Sequence, residues 1–351
     1  MKELVIGNLV AKVPIIQGGM GIGVSRSNLA SAVSSLGGIG VISGVNIGYD
    51  EEDFENNTLE ANLRALRKHI KIAKEKSNNG IIGVNLMVAM NNYEEHMKVA
   101  IDSGCDIIIS GAGLPVNLPK IVNNSQTKIA PIVSSLKAAQ ILLKMWDKKY
   151  NTTADLIIVE SYKAGGHLGY SMDDLKNISS IDYDYELQEI IKLANNYAKK
   201  YKKEIPVIAA GGVSSSSDVK KYIDLGASGV QIGSRFVATY ECDAHDNFKY
   251  AYINAKKDDI VIVKSPVGLP GRAIKNKFIN DLYTSKPAIN KCYKCLSACK
   301  PKEIPYCIST ALINAVKGNI DDALLFCGSD VYKINNLKSV EDVINELISE
   351  L

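Results

Sequence analysis

A single histidine stands in a glycine-rich segment that directly follows an apolar run. The run is residues 156–159, and residues 163–169 read Lys-Ala-Gly-Gly-His-Leu-Gly. Imidazole is the side chain best suited to proton transfer near neutral pH, and glycine lets backbone approach a ligand closely. His167 is therefore the candidate catalytic residue, as a base beside a flat ligand. The alternative is a histidine that only satisfies hydrogen bonds within a loop.

Two further sites offer contacts to a planar ring. The apolar run that ends at Gln17 is followed by Gly18, Gly19 and Met20, which is bare backbone beside one soft side chain. Asn85, at the end of a later run, offers both a donor and an acceptor to the edge of a heterocycle. Glycines also make tight turns, so the first loop alone leaves a purely structural role open.

Two small-residue loops follow the last two apolar runs, at Gly211-Gly212 and at Gly233-Ser234. In (β/α)8 barrels the loops after strands seven and eight commonly hold a phosphate. A ligand whose phosphate lies in these loops and whose ring reaches toward Met20 and His167 has the shape of flavin mononucleotide (FMN). The predicted cofactor-binding residues are Gln17, Gly18, Gly19, Met20, Asn85, Gly165, Gly166, Gly211, Gly212, Gly233 and Ser234.

These residues need a scaffold, and short apolar runs with helical patterns between them supply one. The runs are residues 14–17, 39–42, 81–85, 107–110, 129–133, 156–159, 207–210 and 230–232. Runs that are apolar on both faces are typical of parallel strands covered by helices. Their number favours a closed (β/α)8 TIM barrel, an α/β fold, over an open doubly wound sheet.

The strand-helix repeat stops after Arg235. We therefore predict an FMN-binding barrel over residues 1–235 and a smaller additional domain or lid over residues 236–351, with a strand at 260–263. Apolar residues at helical spacing in 309–316 and 340–351 predict C-terminal helices. This tail would pack on the barrel or on a partner subunit, which leaves a homo-oligomer open.

Composition narrows the class of protein. The 351 residues are 46% hydrophobic and 23% charged, as in ordinary globular proteins. No apolar stretch reaches the length of a bilayer-spanning helix and no secretory signal opens the chain, so we expect no membrane association and a cytoplasmic location. The net charge is +3, without a basic patch interleaved with aromatic residues. Nucleic acid is therefore not an expected partner, whereas a small-molecule substrate is.

The tail also contains four closely spaced cysteines, Cys292, Cys295, Cys299 and Cys307. The C-x2-C-x3-C spacing with a fourth cysteine downstream suits an iron-sulfur cluster or a zinc ion. The alternative is a docking turn with reduced thiols, the usual state of cysteine in the cytosol.

Several motifs together resemble the FMN-dependent nitronate monooxygenases, formerly called 2-nitropropane dioxygenases, and the related flavin-dependent enoyl-ACP reductases. The resemblance spans about residues 14–276 and is carried by residues 14–20, 83–85, 111–115, 164–169, 209–213 and 231–236. It implies an FMN-dependent oxidoreductase that oxidises alkyl nitronates with O2 to a carbonyl compound and nitrite. In that family the residue matching His167 is the base.

The resemblance leaves the reaction open. The first alternative is an NAD(P)H-dependent enoyl-thioester reductase, toward which Gly18-Gly19 leans because many monooxygenases have Ala-Pro there. Ser161-Tyr162-Lys163 also departs from the family, where glycine and a second acidic residue are frequent. Lys163 would lie either beside the flavin or in solvent. The second alternative is a non-catalytic flavin-binding subunit whose cysteine tail docks a partner.

Overall fold

The computed structural model describes residues 1–123, 125–284 and 287–351. The strands are β1 (Leu4–Ile6), β2 (Leu9–Ala11), β3 (Ile15–Gln17), β4 (Gly40–Ser43), β5 (Ile82–Met87), β6 (Ile107–Gly111), β7 (Lys128–Val133), β8 (Ile157–Glu160), β9 (Gly166–His167), β10 (Val207–Ala210), β11 (Gly229–Ile232), β12 (Ile260–Lys264), β13 (Pro270–Ile274) and β14 (Leu325–Phe326). The helices are α1 (Ser27–Ser35), α2 (Thr58–Lys76), α3 (Tyr93–Asp102), α4 (Leu118–Val122), α5 (Leu136–Tyr150), α6 (Met172–Lys176), α7 (Tyr183–Tyr201), α8 (Ser216–Asp224), α9 (Ser234–Val237), α10 (Asp246–Ile253), α11 (Lys277–Asp281), α12 (Ile308–Val316) and α13 (Val340–Ile348). None of these helices, within the ranges described, is both long and apolar enough to cross a bilayer.

A parallel sheet forms the centre of the molecule, with the order β3-β11-β10-β8-β7-β6-β5-β4 across the described chain. A parallel bridge between Ile16 and Ile39 brings its two end strands together. Each predicted apolar run corresponds to one of these strands. The predicted (β/α)8 barrel is confirmed.

The barrel strands are buried on both faces, which is why their sequences are apolar without alternation. In β8, Ile158 packs into the barrel interior, whereas Ile157 and Val159 pack under the helices. The same alternation runs along the other strands. A residue in interior register at the carboxyl end of a strand therefore faces the mouth of the barrel.

The last helix returns to the barrel. Helix α13 packs beside α8 and α1, which places it in the helical layer that covers the strands. Its apolar face, Val340, Val343, Ile344 and Leu347, is buried in the same core as the strands' outer faces. The helices predicted in the tail are thus present, and the later one completes the barrel. The domain boundary at residue 235 stays a prediction.

A small antiparallel sheet lies over one side of the barrel mouth. Strand β13 pairs with β12 and β14, in agreement with the strand predicted at 260–263. It also pairs with β9, which places Gly271 opposite His167. The histidine loop and the region beyond residue 236 are therefore joined by backbone hydrogen bonds.

Candidate active site at the mouth of the barrel

One cavity opens at the carboxyl ends of the barrel strands, where barrel enzymes have their active sites. The βα loops and the small antiparallel sheet line it together. The predicted residues that line it are Gly18, Gly19, Met20, Asn85, Gly165, Gly166, His167, Gly211, Gly212, Gly233 and Ser234. The structure therefore brings together all the predicted catalytic and cofactor-binding residues except one.

Gln17 is the exception, because its side chain does not line the cavity. It is fully buried; its Nε2 donates to the Gly18 carbonyl oxygen and its Oε1 accepts from the Val41 amide at 3.0 Å. The register explains this placement, since Ile16 points into the barrel and its neighbour in the strand points out. Gln17 ties β3 to β4 beneath the glycine loop.

His167 stands at the edge of the cavity with its ring held from two sides. Its Nε2 lies 2.7 Å from the Ser265 hydroxyl oxygen, and Phe326 packs edge-on at 4.9 Å between ring centroids. Burial lowers the pKa of His167 to about 4, because a charged imidazolium is poorly solvated there. The ring is therefore neutral at physiological pH and able to accept a proton.

Glu160 is a second titratable group in this cavity, and the sequence analysis missed it. It ends β8 in interior register, two residues after Ile158, and lines the cavity. Burial raises the pKa of its carboxyl to about 7. Such a group changes protonation near neutral pH, as a general acid or base must. The sequence feature that could have indicated Glu160 is an acidic residue at the end of an otherwise apolar strand.

We expect Glu160→Gln to stabilise the flavin-free protein at high pH. Because the folded pKa is about 7 and the ordinary value is 4.5, the folded chain holds a proton that the unfolded chain loses between these values. The free energy of unfolding of the wild type therefore falls as pH rises through this window. Thermal unfolding should give a melting temperature higher by about 3–6 °C for the variant at pH 8, with the difference vanishing near pH 4. An exposed control, Glu52→Gln, should show no such trend; equal trends in both variants would refute the buried carboxyl.

Gln231 is the other missed residue. It lies in interior register on β11 and lines the cavity, and its buried side-chain Oε1 has no hydrogen-bond partner among the described residues. An orphaned buried acceptor is costly unless a ligand satisfies it. A donor on a bound ligand would do so.

The glycines in the loops are required by close approaches. A Cβ on Gly19 would lie 2.4 Å from the Asn85 Cβ, so only glycine lets these two loops meet. Gly211 and Gly212 have φ of +85° and +76°, a left-handed conformation that glycine adopts readily. A Cβ on Gly233, by contrast, would have only the Met20 side chain within reach, at 3.5 Å.

Lys163 lies at the outer edge of the cavity. Its side chain is exposed, and its Cδ would be 2.7 Å from a Cβ on Gly212. It thus packs beside the Gly211-Gly212 loop and also contacts solvent. A position beside the flavin stays a prediction.

The four tail cysteines lie beside this cavity, and Cys295 also lines it. Cys292, Cys295, Cys299 and Cys307 line a second, smaller cavity that also contacts Asn91. In the part of the chain that the structure describes, no group of three or more His, Cys, Asp or Glu side chains is arranged so that it could hold a metal ion. The metal predicted from their spacing is therefore not shown.

Known proteins resemble the chain along almost all of its length. The sequence model of the nitronate monooxygenase family matches residues 2–350. A probable nitronate monooxygenase from Staphylococcus aureus (strain Newman) is 27% identical over 298 residues, which cover 77% of this chain and 77% of that protein. A second one, from Bacillus subtilis (strain 168), is 24% identical over 359 residues, with coverage of 96% and 95%.

Solved structures share the fold. FabK from Thermotoga maritima has a TM-score of 0.72 at 25% identity, covering 97% of this chain and 93% of that chain. A nitroalkane oxidase from Streptomyces ansochromogenes also has a TM-score of 0.72, at 19% identity, with coverage of 97% and 96%. At that lower identity the likeness shows the fold alone.

Proposed function

The chain belongs to the nitronate monooxygenase family, and from this premise we propose that it is an FMN-dependent oxidoreductase that oxidises alkyl nitronates with O2 to a carbonyl compound and nitrite. The observation that carries the proposal is His167, a neutral imidazole in a cavity that also contains two glycine-rich loops. Curated relatives named probable nitronate monooxygenase support it.

The residues of the cavity fit FMN. The buried Gln231 Oε1 lacks a hydrogen-bond partner among the described residues, as expected for an acceptor that meets a ring N–H. Gly211-Gly212 and Gly233-Ser234 provide backbone that a phosphate can approach, and Lys163 places a positive charge near the first of these loops. When bound, FMN supplies the electron transfer between substrate and oxygen.

The protein's own contribution is proton handling and orientation. His167, neutral above its lowered pKa, accepts the α-proton of a nitroalkane and so converts the neutral acid to the anionic nitronate. Ser265 holds the ring at Nε2, and its hydroxyl oxygen also accepts from the Val267 amide at 3.3 Å. The base is thereby oriented by a loop of the additional region.

We expect Ser265→Ala to lower turnover of a neutral nitroalkane by about 5-fold, because loss of one hydrogen bond of about 1 kcal/mol frees the imidazole ring. FMN content should stay unchanged. Ser265→Thr, which keeps the hydroxyl, is the matched control and should recover most of the rate. If alanine and threonine behave alike, Ser265 does not orient the base.

The test of the function uses the purified holoprotein under anaerobic conditions. We would mix it with propyl-2-nitronate, and separately with NADH and NADPH, and follow flavin absorbance by stopped flow. Bleaching by the nitronate, followed by nitrite production when O2 is admitted, is the expected result. Bleaching by a nicotinamide nucleotide alone would overturn it in favour of the second candidate.

That second candidate is an NAD(P)H-dependent enoyl-thioester reductase. One wall of the cavity is apolar and is built from the region beyond residue 236, by Val267, Leu296, Leu312, Leu324 and Phe326. An acyl chain would bury apolar surface against such a wall. An enoyl thioester consumed only in the presence of NADH or NADPH would decide for this reaction.

A further inference from the structure

Four cysteines line a second cavity that adjoins the candidate active site. Cys292, Cys295, Cys299 and Cys307 all line it, and none of them forms a disulfide in the described chain. Thiolates that gather in this way are the ligands that soft metals and iron-sulfur clusters prefer. Neither the barrel nor the proton chemistry at His167 needs them.

The segment that carries these thiols has little structure of its own. Residues 287–307, all of which are described, contain no helix, and only a bridge between Leu296 and Met90 pairs them with another part of the chain. The Asn91 amide donates to the Cys295 carbonyl oxygen at 3.0 Å, and the Ser297 amide donates to Ala89 at 3.0 Å. Connections this long without secondary structure are uncommon unless they have a function. A metal centre bound by all four cysteines would hold this segment in one conformation.

Backbone features beside two of the four sulfur atoms can stabilise a thiolate. Cys307 is the N-cap residue of α12, where the helix dipole stabilises an anion. The Lys294 amide donates to the Cys292 Sγ at 3.4 Å. The segment also contains four lysines, at positions 291, 294, 300 and 302. Burial raises the pKa of the other two thiols, Cys295 and Cys299, so only a bound metal would keep them deprotonated.

The described residues argue against a single bound ion. A zinc ion with Zn–S bonds of about 2.3 Å needs its thiolates about 3.8 Å apart, and the described residues contain no group that could hold one ion. A cubane cluster holds its four thiolates farther apart, around a central volume. The four thiols line one shared cavity, which is where such a centre would lie.

We propose that Cys292, Cys295, Cys299 and Cys307 bind a [4Fe–4S] cluster. Cys295, Leu296 and Ile308 line both this cavity and the candidate active site. The cluster would therefore share a wall with the substrate cavity. This inference does not depend on which reaction the cavity catalyses, because metal content and flavin content are measured separately.

The test is metal analysis of the full chain, purified without exposure to air and with its flavin. We expect about four iron and about four acid-labile sulfide per chain, with an electron paramagnetic resonance signal after reduction by dithionite. Iron and sulfide near zero, before and after anaerobic reconstitution with iron and sulfide, would overturn the proposal. One zinc ion per chain without sulfide would also overturn it.

Variants then assign the ligands. Cys292→Ser and Cys299→Ser should each lose most of the iron, whereas Cys105→Ala, which removes a buried thiol of the barrel, should keep it. Alkylation followed by mass spectrometry gives a readout on the wild-type chain, in case the variants do not fold. The four thiols should resist iodoacetamide until a chelator removes the iron. Equal labelling before and after chelation would contradict the assignment.

Discussion

His167→Ala is expected to lower turnover of a neutral nitroalkane by about 10²-fold or more, the usual scale for losing a general base. Turnover of the preformed nitronate should fall much less, because its proton is already gone. This split between two substrates separates proton abstraction from a general loss of active-site structure. FMN content, measured by absorbance of the purified protein, should remain as in the wild type, since the phosphate loops lie on other strands.

The pH dependence gives an independent check. Because burial lowers the pKa of His167 to about 4, the base stays deprotonated through the neutral range, and its protonation should reduce kcat/KM only as pH approaches that value. His245→Ala removes an exposed histidine that does not line the cavity and is the matched control. Unchanged nitroalkane turnover in His167→Ala would exclude this residue as the base.

Gly233→Leu is expected to abolish FMN retention, so that the protein is purified colourless. Gly233 has φ of −107°, which leucine tolerates, and a Cβ there meets nothing closer than the Met20 side chain at 3.5 Å. The added side chain would therefore occupy cavity space that a phosphate needs, with little backbone strain. Fluorescence titration of the flavin-free protein with FMN should show affinity reduced by about 10²-fold or more, equivalent to about 2.7 kcal/mol.

Gly233 gives a cleaner test than its neighbours in the other loop. A Cβ on Gly211 would lie 2.8 Å from the Ala164 amide nitrogen and would displace backbone, so loss of FMN there would have two causes. Gly104→Leu places the same bulk at a glycine with nothing within 4 Å, in a turn outside the cavity lining. It should keep FMN despite some loss of stability from its φ of +82°. A yellow Gly233→Leu protein would remove this loop from the phosphate site.

The barrel could be predicted because each of its strands is short, apolar and covered on both faces. The run at residues 107–110, for example, reappears as β6, and strand ends elsewhere differ by only a residue or two. The location of Gly18, Gly19 and His167 at the cavity could also be predicted, since a parallel barrel places all loops that follow its strands on one rim. Connectivity alone was sufficient to bring these residues together.

Side-chain direction was harder to predict. Gln17 ends β3 and Asn85 lies near the end of β5, yet the first points away from the cavity and the second lines it. Glu160 and Gln231 were overlooked because the prediction followed glycines instead of the inward register of each strand. Counting alternate positions forward from a buried residue such as Ile158 would have found Glu160.

Contacts made by the region beyond residue 236 could not be predicted. The Ser265 hydroxyl that holds His167 comes from a turn almost a hundred residues later, and the pairing of β9 with β13 that brings it there has no signal in either segment. The apolar wall beyond residue 236 is equally invisible, because its residues come from several short elements whose packing depends on the finished barrel.

The helical layer of the barrel is completed late during synthesis of this protein, because helix α13 follows all of the barrel strands in the chain. As the chain leaves the ribosome, all the barrel strands have emerged by residue 232, yet the flank between α1 and α8 stays uncovered until residues 340–348 follow. During that delay of about a hundred residues the nascent barrel exposes apolar surface that chaperones recognise and that favours aggregation. Removal of residues 340–351 would leave this flank uncovered permanently and should therefore favour aggregation.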